Sequence, residues 1–207
     1  MKYPHARLLV FSKAPVAGQV KTRLIPLLGA EHAAAIYMQM LDATLGKAIA
    51  GDLCPLELWC TPSVQHAFFR RCRARYPLTL RQQGTGDLGA RMSQALHNAL
   101  QYARQAVLIG ADCPTLGAGD IDTALAQLAA GVDVVLGPAA DGGYYMIGMA
   151  RHDPRLFDDI AWGTPEVLAT TLARCRVHGL QWFCLPQRAD VDTPDDYREY
   201  CSGGPLR

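Results

Sequence analysis

Short apolar runs of strand length alternate along this chain with longer stretches of helical periodicity, and that alternation narrows the fold more than any single residue does. Ala6-Arg7-Leu8-Leu9-Val10-Phe11 reads as a first buried strand. A loop rich in Pro, Gly and basic residues follows. A helix is then expected from about Glu31 to Ala50, with Tyr37, Leu41, Leu45 and Ala48 on one face. Leu56 to Cys60 reads as a second strand, Val64 to Arg75 as a short basic helix, and Pro77 to Gln82 as a weaker third strand. A long helix is expected from Leu88 to Arg104, with Leu88, Met92, Ala95, Ala99 and Ala103 on one side. Ala106 to Gly110 carries the strongest strand signal. Ile121, Leu125 and Leu128 mark another helix, Val132 to Gly137 and Tyr144 to Met149 two more strands, and Leu180 to Leu185 a late one. Thr164-Pro165-Glu166 and Thr193-Pro194-Asp195-Asp196 both read as helix starts, each with a hydroxyl cap and Pro in the first turn. This pattern implies a three-layer α/β/α fold with a mostly parallel central sheet. In such sheets ligands gather where loops leave the carboxyl ends of the strands.

Bulk properties exclude several classes. The 207 residues suffice for one core, and no linker, repeat or low-complexity tract divides them, so a single domain over 1–207 is expected. A formal charge of +1 does not suit a broad nucleic-acid surface. No apolar run approaches the roughly 18 residues of a membrane span, and Met1-Lys2-Tyr3-Pro4-His5 lacks a signal-peptide core. The seven cysteines are scattered without a Cys-x-x-Cys pair or nearby histidines, which fits reduced thiols in a cytoplasmic protein rather than a zinc or disulfide framework.

Four loops at predicted strand ends carry chemistry. The first, Lys13 to Leu24, holds Lys13, Lys21 and Arg23 with Gly18 and Thr22, the mixture of fixed cations, backbone N–H groups and hydroxyl that a phosphate needs. It is not a Walker A loop, because Val20 stands where a Gly must precede the Lys and Ala14 where the leading Gly belongs. The second ends the strongest strand in Gly110-Ala111-Asp112-Cys113-Pro114. A carboxylate that abruptly follows a buried apolar run suits Mg²⁺ or Mn²⁺, hard cations that prefer oxygen. The bland alternative is an Asp that caps the next turn. In the third, Asp141-Gly142-Gly143 makes a tight turn open to close approach by a ligand, and is also a common hairpin turn. In the fourth, extended geometry would point Asp190 and Asp192 to the same side, just ahead of a helix. Gln83 to Arg91 adds a Gly-rich helix entry in which Asp87 is cap or ligand and Arg91 lies one turn inside. Gly-x-Ser-x-Gly, His-Glu-x-x-His and Gly-x-Gly-x-x-Gly are absent, and Cys113 has no placed base, so it reads as a small buried residue.

Taken together, Phe-Ser-Lys-Ala-Pro with Lys-Thr-Arg-Leu, Gly-Asp-Leu-Gly-x-Arg-Met, Ile-Gly-Ala-Asp-Cys-Pro, Gly-Pro-Ala-x-Asp-Gly-Gly-Tyr-Tyr and Asp-Val-Asp-Thr-Pro resemble one family across Leu8 to about Tyr197. It is that of the small bacterial GT-A-type transferases assigned to arsenosugar biosynthesis, within the nucleotide-diphospho-sugar transferase superfamily. Phospholactate guanylyltransferase is similar in the Lys-Thr-Arg-Leu loop and the late Asp-x-Asp-Thr-Pro. The resemblance implies a GT-A-like fold, a nucleotide or nucleotide-sugar donor, a small-molecule acceptor and a divalent cation, Mg²⁺ or Mn²⁺. It further implies that Lys13, Lys21 and Arg23 neutralise phosphates. Gly18, Thr22, Asp87, Arg91, Gly142 and Gly143 would line the nucleotide site. Asp112 would be the main metal ligand. Relatives carry Asp-x-Asp there and this chain only Gly110-Ala111-Asp112, so Asp192 or Asp190 is expected to complete the site. Asp141 is left as the base that activates the acceptor. Glycosyl transfer is the activity taken from this resemblance. Nucleotidyl transfer with pyrophosphate release is the alternative, and a non-catalytic nucleotide-binding module is a third reading.

Overall fold

The computed structural model describes residues 1–202. Its centre is a seven-stranded sheet in the order β3-β2-β1-β4-β6-β5-β7, with β1 at Ala6–Lys13, β2 at Leu56–Thr61, β3 at Leu78–Gln82, β4 at Gln105–Ile109, β5 at Val134–Pro138, β6 at Tyr144–Met149 and β7 at Trp182–Cys184. All neighbours run parallel except β6, which is antiparallel to both β4 and β5. The helices are α1 (Ile25–Leu28), α2 (Ala30–Ala50), α3 (Ala67–Arg75), α4 (Leu88–Leu100), α5 (Ala118–Ala129), α6 (Val167–Val177) and α7 (Pro194–Cys201).

The strands read as continuous apolar runs because both faces are covered. Leu8 and Val10 of β1 point into a core shared with Leu41 and Leu45 of α2, Phe69 of α3 and Leu125 of α5. Leu9, between them, points the other way, into a core built with Met92 and Leu96 of α4 and Cys175 of α6. One strand thus feeds both layers, as a period of two requires.

Several expected boundaries move, each because a backbone or side-chain group is engaged elsewhere. The helix predicted to Arg104 stops at Leu100, because the Arg104 N–H is already given to His5 O at 2.8 Å as the chain enters β4. Leu88 is exposed and Ala103 lies outside the helix, so neither joins the buried stripe of Met92, Ala95 and Ala99. The basic helix starts at Ala67 rather than Val64. The Val64 N–H is bonded to Gln82 Oε1, and His66 Nδ1 accepts from Phe68 N–H as the cap. Thr164 does not cap α6. Its hydroxyl donates to Ala161 O, and a backbone carbonyl from another loop, Gly142 O, takes the Leu168 N–H at 2.9 Å. Thr193 does cap α7, with Asp196 closing the capping box and Pro194 at the first position.

Candidate functional site

From β1 the chain steps outward to β2 and β3, then crosses back to lay β4 on the other flank of β1. That reversal opens a crevice at the carboxyl ends of β1 and β4, the topological switch point where α/β sheets hold ligands. A cavity of about 470 Å³ occupies it. Its lining includes Ser12, Lys13, Lys21, Gln83 and Arg91 together with Gly110, Asp112, Asp190 and Asp192.

The cavity's centre of charge is Lys21. Its side chain is 3% exposed, and Nζ lies 2.6 Å from Asp112 Oδ1 and 3.3 Å from Asp192 Oδ1 while donating to Val191 O at 2.8 Å. Burial opposes its charge, but the Asp112 and Asp192 carboxylates outweigh it and hold the ammonium above its usual pKa. Asp112 Oδ1 is itself buried, and its partner is the Lys21 ammonium. Arg23, mostly in solvent, places Nη1 3.0 Å from Asp192 Oδ2. Val191 N–H donates to Asp112 O at 3.0 Å, a backbone tie that fastens the late Asp segment to the end of β4. Asp112, Asp190 and Asp192, some eighty residues apart in sequence, therefore meet at one wall.

Asp190 is pushed up to about 7, first by burial and then by the Asp112 and Asp141 charges, with Lys21 pulling the other way. Arg188 holds the segment in register. It exchanges backbone hydrogen bonds with Pro138 and Ala140, and its Nη2 reaches Asp120 at 2.7 Å. Asp141 itself is exposed in the turn between β5 and β6, where Oδ1 accepts the Gly143 N–H at 2.9 Å. Gly142 has φ +88°, and a Cβ there would lie 2.2 Å from Pro165 O. Gly142 thus serves the packing of this turn against the start of α6, whereas a Cβ at Gly143 would meet the Asp141 carboxylate first; neither glycine nor Asp141 lines the cavity.

The remaining predicted residues divide. Lys13 lines the cavity, its Nζ donating to Gln19 O at 2.9 Å. Gly18 sits at φ +80° on the exposed loop, and Thr22 is exposed at the start of a short 3₁₀ turn, so both stand outside the wall. Asp87 caps α4 through the Ala90 N–H at 2.8 Å. Arg91 is on the wall, fixed by Nε to Asp87 O and by Nη1 to Gln83 Oε1, both at 3.1 Å.

Three wall residues escaped the sequence reading. Gln83 is buried, and its amide donates to Ser12 O and Trp59 O, locking the ends of β1 and β2 to the Arg91 side chain. Tyr37 accepts the Lys13 N–H and pairs with the Ser12 hydroxyl at 3.0 Å. Burial and the Asp112 charge push Tyr37 up to about 12, so it remains a neutral phenol. The only sequence signal for Gln83 and Ser12 is their place at strand ends; Tyr37 reads simply as helix core. Cys113 is buried and its thiol is pushed up by that burial, which suits a packing residue.

Among the described residues, no three His, Cys, Asp or Glu side chains form a ready metal cage. The donors nevertheless suit a hard cation: carboxylate oxygens only, one of them buried against the Lys21 ammonium, in a wall where acidic groups outnumber the ammonium between them.

A family profile described as an uncharacterized protein conserved in bacteria, DUF2064, matches residues 44–164, more than half the chain. The chain belongs to the DUF2064 family. Asp87, Arg91, Asp112 and Asp141 of this DUF2064 protein fall inside the matched stretch, while Lys21, Asp190 and Asp192 flank it. Among curated proteins, none matches. Among solved structures, a protein of Desulfovibrio desulfuricans G20, provisionally assigned as a nucleotide-diphospho-sugar transferase, is 32% identical with a TM-score of 0.84, over 92% of this chain and 83% of its own. CMP:2-keto-3-deoxy-manno-octonic acid synthetase complexed with CTP is 11% identical with a TM-score of 0.60, over 95% and 97%. Rv0371c of Mycobacterium tuberculosis H37Rv in complex with manganese is 19% identical with a TM-score of 0.55, over 94% and 97%. The last two establish likeness of fold alone. The α/β architecture with a mostly parallel sheet expected from the sequence is the one this DUF2064 protein shares with the Desulfovibrio protein.

Proposed function

We propose that this chain is a single transferase domain that uses a nucleotide-activated donor, and that it transfers a glycosyl group from a nucleotide-diphospho-sugar. The observation that carries the reading is the Lys21–Asp112–Asp192 cluster in the lining of a switch-point cavity. Fixed cations and carboxylates together suit a phosphate bridged by a divalent ion. The Desulfovibrio protein, with its provisional assignment as a nucleotide-diphospho-sugar transferase, supports the same donor class.

In this reading Lys13, Lys21 and Arg23 bind the donor's phosphates, while Gln83 and Tyr37 keep the wall at the end of β1 rigid. Asp112, with Asp192 and Asp190, would hold Mg²⁺ or Mn²⁺, which supplies charge stabilisation for the departing diphosphate. The bond from the anomeric carbon to the diphosphate oxygen breaks, the acceptor oxygen takes that carbon, and the acceptor proton passes to a carboxylate; Asp141 is proposed for this, outside the cavity lining but near enough for its charge to act on Asp190.

Nucleotidyl transfer is the competing reading, because the fold is shared with CMP:2-keto-3-deoxy-manno-octonic acid synthetase and a fold does not choose its reaction. The leaving group decides between them. Incubation with Mn²⁺ and a panel of sugar nucleotides and nucleoside triphosphates should release nucleoside diphosphate from the former. Pyrophosphate release from a triphosphate, with no sugar nucleotide consumed, would reverse the assignment. Asp112→Asn, nearly the same shape but uncharged, should lower turnover on the order of 10²-fold or more without changing the fold. Unchanged turnover would remove Asp112 from the site.

A further inference from the structure

The ammonium of Lys21 fills the place a metal would take. Its contacts are Asp112 Oδ1, Asp192 Oδ1 and Val191 O, an all-oxygen set, and its side chain is almost wholly enclosed. Lys21 is moreover a non-glycine residue with left-handed backbone, φ 47° and ψ 43°, at the end of an exposed loop. That conformation favours glycine, so the lysine stands there against the local backbone preference.

Charge counting gives the consequence. Asp112, Asp190 and Asp192 gather about Lys21 and Arg23, three carboxyl groups against two cations, so carboxylate is in excess. A divalent ion arriving alone would meet the ammonium already seated between two of its ligands. A phosphate arriving alone would meet an excess of carboxylate. Arriving together they satisfy both: the ammonium turns to the phosphate and the carboxylates turn to the ion.

We propose that Lys21 is a cation switch that makes metal binding and donor binding mutually dependent. The inference rests on reading this cavity as a donor and metal site, and its test separates the two claims. Mn²⁺ binding to the whole protein is measured by the loss of the free-ion electron paramagnetic resonance signal, for wild type and Lys21→Met, with and without inorganic pyrophosphate. Without pyrophosphate, Lys21→Met is expected to bind Mn²⁺ at least about tenfold more tightly than wild type, within the range usual for coupled sites. Pyrophosphate should then improve Mn²⁺ affinity by a larger factor in wild type than in the variant. The metal–pyrophosphate complex in solution is common to both proteins and cannot create that difference. Equal Mn²⁺ affinity in the two folded proteins would overturn the switch and leave the site reading intact. Mn²⁺ binding to neither would overturn both.

A measurement on wild type covers the case in which Lys21→Met does not fold. Acylation of Lys21 by an N-hydroxysuccinimide ester, followed by peptide mass spectrometry, should be slow in metal-free protein and become several-fold faster with millimolar Mn²⁺ alone. The same slow rate with Mn²⁺ bound would show that the lysine never leaves its cage, and the switch would fall.

Discussion

Asp190 shows how one residue's surroundings become a measurable property of the protein. Burial and the Asp112 and Asp141 charges push its carboxyl up to about 7 from the usual 3.8. The folded protein therefore holds this proton more tightly than the unfolded chain does. Protonation favours folding, so this contribution is fully present below the unfolded value and is lost as pH rises toward 7. In chelator-treated protein, urea denaturation across pH 4 to 7 should show stability falling with pH through this group, and Asp190→Asn should flatten that fall. An unchanged slope in the variant would mean the carboxyl is not enclosed among its neighbours as described. Lys21 and Arg23 at the same wall illustrate the limits of residue-level reading. Their types and spacing announced a phosphate loop, yet Lys21 is paired with Asp192, 171 positions away, a partner no local pattern contains.

At the scale of elements, what the sequence disclosed was what is written within one turn or one strand. The buried runs of β1, β2 and β4 stand where their apolar stretches predict, and the Thr193–Asp196 box caps α7 because all of its donors and acceptors are local. The expectations that shifted depend on distant groups: the early end of α4 on His5, and the start of α6 on the Gly142 carbonyl. Gln83 escaped for the same reason, since its value lies in joining Ser12, Trp59 and Arg91 from three elements. The seat of α6 on the Asp141-Gly142-Gly143 turn gives a direct test. A methyl at residue 142 meets backbone atoms of Pro165 that cannot rotate away, at a φ that penalises any side chain. Gly142→Ala should cost about 3 kcal/mol of unfolding free energy, read from chemical denaturation. A loss within experimental error would mean that the turn and the start of α6 are not in contact.

The whole molecule supplies what neither residues nor elements contain. The reversal of strand order beside β1 opens the crevice, and the long return through α5, β5, β6, α6 and β7 brings Asp190 and Asp192 back to Asp112. Arg188 anchors that return to Asp120 and to the strand that carries the Asp141 turn, so a single side chain helps set the position of the acidic wall. The crevice was legible from the βα alternation, and Asp112 from its strand end. That Asp192 would be engaged by both Lys21 and Arg23 required the closed chain. This crevice is proposed to bind a nucleotide-activated donor through the Lys21–Asp112–Asp192 cluster. Isothermal titration with nucleoside diphosphates and sugar nucleotides in the presence of Mn²⁺, on wild type and Asp112→Asn, tests it most directly. At least one such ligand should bind wild type with one-to-one stoichiometry and bind the variant at least about tenfold more weakly, the loss of about 1.4 kcal/mol or more. No binding by any of them, or binding that Asp112→Asn leaves unchanged, would contradict it.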